Sequence, residues 1–278
     1  MQTKNISALT LFGKGLNIET ISRRIKVYDL PEDVPGFMRK LTRIAAKVDC
    51  DKLIFYVKPA TGEEAAVKNL AFQYEGKIEG FFRGEDTKIY AKYLNPARNK
   101  PDQGNVITRV QKRNAISQRR KESLSDDYTI KWAEEVDSEE MAELYNSVFS
   151  KYPTPIHDPS YIVKLMRSNV YFSLIYEGDL LVSACSADVL PKYDAAEFTD
   201  CATLPSQRGK RLLSYQFSRL EERMKKLGIR TMFSYTRATS MGMNIINAQQ
   251  GFTYGGCMIQ NSYIGTGLED MNIWYKSL

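Results

Sequence analysis

Histidine is almost missing from this chain of 278 residues, with His157 the only one. That removes histidine-rich zinc sites and leaves any Ser-His-Asp or Cys-His arrangement resting on one side chain. The four cysteines, Cys50, Cys185, Cys201 and Cys257, are scattered without a Cys-x-x-Cys pair, so reduced and mostly buried thiols are expected. No apolar run approaches the roughly 18–20 residues that span a bilayer. Residues 1–15 lack the charged, apolar and small-residue order of a secretory leader, and a cytoplasmic location is expected. With no metal site expected, the chemistry must run on carboxylates, tyrosines and backbone N–H groups. What is present suffices for real cores: 43% hydrophobic and 11% aromatic residues, in a length that holds one large or two modest domains.

The formal net charge is +6, and its location matters. Arg98, Lys100, Arg109, Lys112, Arg113, Arg119, Arg120 and Lys121 lie in one segment whose only acid is Asp102. With Pro96, Pro101 and Gly104 nearby, the segment reads as an exposed connection plus a basic helix. The alternative is contact with nucleic acid or acidic partners. No aromatic side chain is interleaved to stack on bases, which argues against nucleic acid.

The basic segment separates two parts, an N-terminal domain 1–97 and a C-terminal domain 126–278, with 98–125 as linker. In the first, Arg24–Tyr28 reads as a strand, Pro35–Ala46 as a helix, Leu53–Val57 as a strand and Gly62–Leu70 as a helix. In the second, strands are expected at Tyr128–Trp132, Tyr171–Tyr176, Leu180–Val189, Glu197–Leu204 and Thr231–Thr236, with helices from Ser138 to Phe149 and after the turn at Gly209. This is an α+β layout. The two parts end alike: Phe72, Tyr74 and Gly76 match Phe252, Tyr254 and Gly256 in spacing. Glu85, Asp86, Ile89, Tyr90, Lys92 and Leu94 match Glu269, Asp270, Ile273, Trp274, Lys276 and Leu278. The intervening hairpins differ by four residues. The first part therefore reads as a partial copy of the second, suited to packing or to dimerisation.

Thr199 to Gly228 carries the strongest functional signal. A strand ends at Leu204-Pro205, a polar turn follows (Ser206, Gln207, Arg208, Gly209, Lys210), and a long amphipathic helix begins, with Leu213, Phe217, Leu220, Met224 and Leu227 on one face. A strand, a basic glycine turn and a helix N-terminus hold a phosphate, because unpaired N–H groups and the positive end of the helix dipole face one anion. The first part has no counterpart of this turn.

The turn resembles the acyl-CoA-binding segment of the GNAT N-acetyltransferase superfamily, R/Q-x-x-G-x-G/A after a strand and a proline. Ser240 to Phe252 is similar to that superfamily's following helix, ending at Gly251-Phe252. The blocks Tyr152–Pro159, Thr199–Thr203, Arg237–Asn244 and Met271–Lys276 resemble the β-lysine N6-acetyltransferase family. The resemblance implies a GNAT acyltransferase fold, a mixed central sheet flanked by helices, over about 128–278, preceded by a partial GNAT-like domain. It also implies acetyl-CoA as co-substrate and Nε-acetyl-β-lysine, a compatible solute, as product. Departures exist: Arg211 and Leu213 stand where the turn's later Gly and Gly/Ala are expected, and Asn247 stands where many members carry a tyrosine acid. A thiolate with a pKa of about 8.5 leaves without a strong acid. Another small amine or a protein amine as acceptor stays open, as does a non-catalytic CoA-binding module.

The implied cofactor contacts are Cys201, Ala202, Thr203, Gln207, Arg208, Gly209, Lys210, Arg211, Leu212, Leu213 and Asn244. For Asn244, a cap of the following turn is the favoured reading over a contact with the pantetheine arm. A carboxylate must take a proton from the acceptor ammonium, with Asp200 the first choice and Glu197 the second. Strand alternation puts Glu197, Thr199, Cys201 and Thr203 on one face and Phe198, Asp200 and Ala202 on the other, so the two carboxylates form no pair unless a bulge intervenes. In the loop from Tyr152 to Pro159 and just beyond, Asp158 is a candidate to face an ammonium and Tyr152 or Tyr161 to wall the amine pocket, with a rigid connection the even alternative. Arg237 is a candidate for a bidentate contact with the substrate carboxylate.

Overall fold

The computed structural model describes residues 15–114 and 124–278. Residues 1–15 of the leader reading lie almost wholly outside this range, as do Arg119, Arg120 and Lys121. The first part runs β1 (Leu16–Glu19), β2 (Arg24–Val27), α1 (Val34–Lys47), β3 (Lys52–Val57), α2 (Gly62–Asn69), β4 (Gln73–Phe82) and β5 (Glu85–Tyr93). α3 (Ile107–Asn114) lies in the basic segment. The second part runs β6 (Tyr128–Trp132), α4 (Ser138–Val148), α5 (Pro159–Met166), β7 (Val170–Glu177), β8 (Leu180–Leu190) and β9 (Ala195–Thr203). It continues with α6 (Leu212–Lys226), β10 (Thr231–Arg237), α7 (Met241–Gln249), β11 (Thr253–Ile264) and β12 (Gly267–Ser277). The expected α+β class, a mixed sheet flanked by helices, is what forms. β1 and α5 went unread in the sequence, one because it has four residues, the other because the prolines before it suggested only a stiff loop.

The twelve strands of the described residues form one sheet, in the order β1-β2-β3-β5-β4-β11-β12-β10-β9-β8-β7-β6. Its parallel pairs are β2 with β3 and β9 with β10. The segment β1-β2-α1-β3-α2-β4-β5 repeats as β8-β9-α6-β10-α7-β11-β12, and the copies meet tail to tail where β4 pairs β11 at Gly76 and Gly256. The hairpin echo holds in detail: Tyr74 faces Tyr90 and Gly76 faces Ile89, as Tyr254 faces Trp274 and Gly256 faces Ile273, with the same irregularity between. A Cβ on Gly256 would sit 2.2 Å from the Glu75 carbonyl oxygen, so the two strands approach this closely only with glycine there. The counterpart of the basic turn in the first copy is Tyr28 to Asp33, which carries Asp29, Glu32 and Asp33 and would repel a phosphate.

Apolar side chains separate by strand alternation onto the two faces. α6 and α7 cover one face of the second copy, with Phe198, Phe217, Leu220, Met224 and Trp274 in the core between. α4 and α5 cover part of the other, around Tyr145, Ile162, Leu174 and Ala202. A third core, with Ile54, Tyr56, Phe81, Phe233 and Ile273, joins the two copies. The basic segment is not a free connection. Arg98 is buried, bonded to Asp51 and to the carbonyls of Ser22, Arg23 and Gln260, and Val106 and Val110 enter the α6–α7 core. On α3 the polar side chains of Arg109, Lys112 and Arg113 are exposed. No helix among the described residues is long and apolar enough to cross a membrane.

Candidate active site

β9 and β10 pair only from Ala195 to Glu197 and from Thr231 to Phe233, then part. A cavity of about 80 Å³ lies at the parting, lined among others by Tyr152, Thr199, Asp200, Cys201, Tyr235 and Thr236. Beyond the parting, one edge of β9 has no strand partner among the described residues while its other edge stays bonded to β8. This leaves backbone N–H and C=O groups of an interior strand facing a cleft, an edge that an amide-bearing chain can pair with.

A bulge corrects the alternation expected for β9. Ala184 pairs Ala202 but Ser186 pairs Thr199, so Asp200 and Cys201 together oppose Cys185, and Asp200 takes a left-handed φ of 51°. Phe198 and Cys201 consequently pack toward α6 while Ala202 packs toward α4. Asp200 turns to the α4 side and accepts hydrogen bonds from Tyr152 Oη (2.9 Å) and Ser186 Oγ (2.7 Å). Glu197 pairs Asp188 directly across β8 and β9 and, with Ser186 and Thr199, lies on that same side. The two carboxylates thus share a face after all.

Burial pushes the Asp200 carboxyl above its ordinary range, partly offset by the Ser186 and Tyr152 donors. Burial also raises Glu197, to about 7, with Lys26 opposing and Asp188 adding to the rise. Asp188 is pushed up to about 6 by burial and by Asp200. Tyr152 is raised well above the usual phenol range by burial and by Asp200, and its ring packs on Phe149. Tyr161 is pushed up to about 12, by burial first and Asp200 second. Carboxylates poised near neutrality beside protonated phenols can orient an amine and take its proton.

The turn before α6 is exposed from Arg208 to Arg211. Gly209 has φ 84° and Arg211, at the N-cap of α6, has φ 63°. Arg211 thus occupies the left-handed conformation that the missing glycine would take. Gln207 is used differently from the expectation: it is buried, donates to Glu177 (2.6 Å) and accepts from Tyr128 (2.9 Å), so it anchors the turn to β6 and β7. Arg208 donates to the Thr203 carbonyl, and Lys210 to Tyr128 Oη at 2.8 Å. Leu212 and Leu213 are buried, which leaves their backbone N–H groups, at the first turn of α6, as what they can offer an anion.

Three other expected contacts are already occupied. Asp158 is exposed and caps α5 through Ser160 N (2.9 Å), so it does not face the amine pocket. Arg237 lines the cavity, but Glu269 takes its guanidinium fork at 2.7 and 2.5 Å. Asn244 is fully buried, donating to the Arg237 and Ser240 carbonyls and accepting from Asn272 and Trp274 at 2.9 Å. Its amide is filled by the fold and has no capacity for a ligand. Asn247 donates to Thr236 Oγ1 (2.8 Å) and supplies no acid, and Cys201 bonds its own strand at the Thr199 carbonyl. Tyr145, whose hydroxyl donates to the Asp200 carbonyl at 2.9 Å, Ser186, Asp188 and Tyr235 were missed; the alternation of Ala184, Ser186 and Asp188 along β8 was the one sequence signal that pointed to two of them.

A parted parallel strand pair, a bulged carboxylate and a basic helix N-terminus thus lie along and after one strand, β9, and the relatives of the chain are N-acetyltransferases. The chain is 34% identical over 267 residues, 95% of each partner, to N-acetyltransferase YodP of Bacillus subtilis. It is 31% identical to beta-lysine N(6)-acetyltransferase of Methanosarcina mazei, over 89% of this chain and 97% of the relative. The enzyme of the same name from Methanococcus maripaludis is 27% identical over 94% of this chain. The chain belongs to this family of N-acetyltransferases. No family model matches it. A solved acetyltransferase of Salmonella typhimurium with acetyl-CoA aligns with 55% of this chain and 95% of its own at 16% identity and a TM-score of 0.47.

Proposed function

We propose that this N-acetyltransferase transfers the acetyl group of acetyl-CoA to the side-chain amine of β-lysine. The observation that carries the reading is the cavity between β9 and β10, where Asp200 sits beside an unpaired strand edge. The residues present fit a CoA thioester: the backbone N–H groups opening α6 with Arg208, Lys210 and Arg211 suit its phosphates, and the free β9 edge at Cys201–Thr203 suits its amide-bearing arm. When bound, the thioester supplies the activated acetyl group. Asp200 takes the proton that an acceptor ammonium of pKa about 10.4 must lose before it attacks. Tyr152 and Ser186 hold that carboxylate in place. N–H groups on the free edge of β9 face charge developing on the acyl oxygen. The acceptor identity is supported by two relatives named for β-lysine that match nearly end to end.

Steady-state release of free CoA, measured with β-lysine, lysine, diamines and a peptide amine, tests the reading. Turnover with β-lysine well above the others is expected. Turnover led by another amine would replace the acceptor, and CoA binding without turnover on any amine would sink the enzyme reading.

A further inference from the structure

The two copies of the repeated unit do more than share a sheet. Register makes Tyr56 the equivalent of Tyr235, since one pairs Ile89 and the other pairs Ile273, its echo. These two tyrosines touch, Oη to Oη at 2.6 Å, so the internal two-fold passes close to them as it does to Gly76 and Gly256. By the same register Lys26, paired with Ile54, is the equivalent of Glu197, paired with Phe233. Equivalent positions near a two-fold axis face each other. Here they carry opposite charge.

Lys26 is buried, bonded to Glu19 at 2.8 Å, and lies 5.6 Å over the ring of Tyr235, which itself lines the cavity. Its ammonium has three N–H donors, so one carboxylate does not exhaust it. Arg24 shares Glu19 and reaches the Asn261 carbonyl and Ser262 Oγ. Opposite, Asp188 and Glu197 stand directly across from each other on β8 and β9, and among the described residues neither side chain makes a hydrogen bond or ion pair. Like charges placed so are unfavourable, and either a proton or a cation between them relieves the repulsion. The raised Asp188 and Glu197 carboxyls, with Lys26 acting on both, agree with this closeness.

We infer that the N-terminal copy completes the acceptor pocket: Lys26 binds the carboxylate, and the Asp188–Glu197 pair the second ammonium, of an acceptor whose other amine is acetylated beside Asp200. The inference rests on the acetyl-transfer reading above and specifies its acceptor class, an amino acid with two amines. The Asp200 carboxylate is held at Ser186, two strand positions along β8 from Asp188, about 7 Å, the reach of a chain of roughly four carbons. Lys26, Asp188 and Glu197 are thus specificity-determining rather than catalytic. The first copy, lacking a phosphate turn, contributes a wall and a charge to the second copy's site.

Three acceptors separate these contacts: β-lysine, 1,4-diaminopentane (its skeleton without the carboxylate) and 6-aminohexanoate (its skeleton without the second amine). Lys26→Met should raise KM for β-lysine and 6-aminohexanoate at least tenfold more than for 1,4-diaminopentane, and Lys26→Arg should restore most of the loss. Asp188→Asn should penalise β-lysine and 1,4-diaminopentane at least tenfold more than 6-aminohexanoate. Equal losses across the three acceptors, or none, would overturn the inference. Asp188→Asn lies in the other copy, so it carries the comparison if Lys26→Met does not fold. Should the wild-type protein acetylate none of the three, the acceptor reading fails by itself. Calorimetric titration of the three compounds then reads the same pattern in Kd, and absence of binding overturns the inference as well.

Discussion

Asp200 combines three properties that a proton acceptor needs: it lines the cavity, it is fixed by two donors, and burial lifts its pKa above the ordinary carboxylate range. Asp200→Asn keeps the shape and removes the basicity, so kcat should fall by about 10²–10⁴. The sign of the pH dependence follows. Activity rises as Asp200 deprotonates, so the acid limb of kcat/KM should lie above the range of a free aspartate and disappear in the variant. A pH–rate profile of both proteins measures it, and an unchanged acid limb in Asp200→Asn would assign the proton to another group. At this scale the sequence named the right residue type for Asp158, Arg237 and Asn244 but not the partner. Asp158 caps a helix, Arg237 is held by Glu269, and Asn244 ties α7 to β12. Motif blocks show which side chains recur together. A hydrogen bond filled from a strand thirty residues away is invisible in them.

Among the elements, the turn into α6 was the most legible, because a strand end, a proline and a glycine are local signals. The consequence of Arg211 became visible only in its backbone. Its left-handed φ of 63° costs a non-glycine residue about 1–2 kcal/mol. Arg211→Gly should relieve part of that, raising stability by about 1 kcal/mol and the melting temperature by about 2–4 °C. If Arg211 contacts the CoA phosphates as proposed, CoA affinity should fall a few-fold in the same variant, since a guanidinium is lost while the helix N-terminus stays. Thermal melting and CoA titration of one preparation give both numbers, and a fall in stability would show that the strain is offset by other contacts of the arginine. The β9 bulge is the element-scale feature that alternation missed. Whether a strand carries an extra residue depends on the register of its neighbour, and β8 and β9 set that between them.

Across the whole molecule, a buried knot holds the two copies together. Lys52 of β3 is fully buried, bonded to Glu75 at 2.9 Å and to the Ile259 carbonyl of β11 at 2.7 Å. Glu75 also accepts from Ile259 N (2.8 Å) and from Tyr93. Burial draws the Lys52 ammonium down to about 8, against the pull of Glu75. Lys52→Met would strand the Glu75 charge, and breaking a buried pair from one side costs about 3–5 kcal/mol. Urea unfolding of Lys52→Met and of the double variant with Glu75→Gln measures it. The double variant should recover part of the loss, and equal stability of the single variant and wild type would show that the knot is dispensable. The hairpin echo between residues 72–94 and 252–278 was readable, and it suggested packing or dimerisation; the copies pack against each other within one chain.

Composition and local pattern by themselves determined the α+β class, most strands and helices and the basic glycine turn before a long helix, and a single histidine turned the search for a proton acceptor to the carboxylates. Those properties depend on residue type and short-range spacing, which the sequence states outright. Only the tertiary structure decided which carboxylates share a face, which polar side chains are already filled, and that β2 and β3 of the first copy stand against the site of the second. Each of these follows from the register of strand pairs and from one close glycine contact between β4 and β11, relations between residues far apart in the chain that no local spacing encodes.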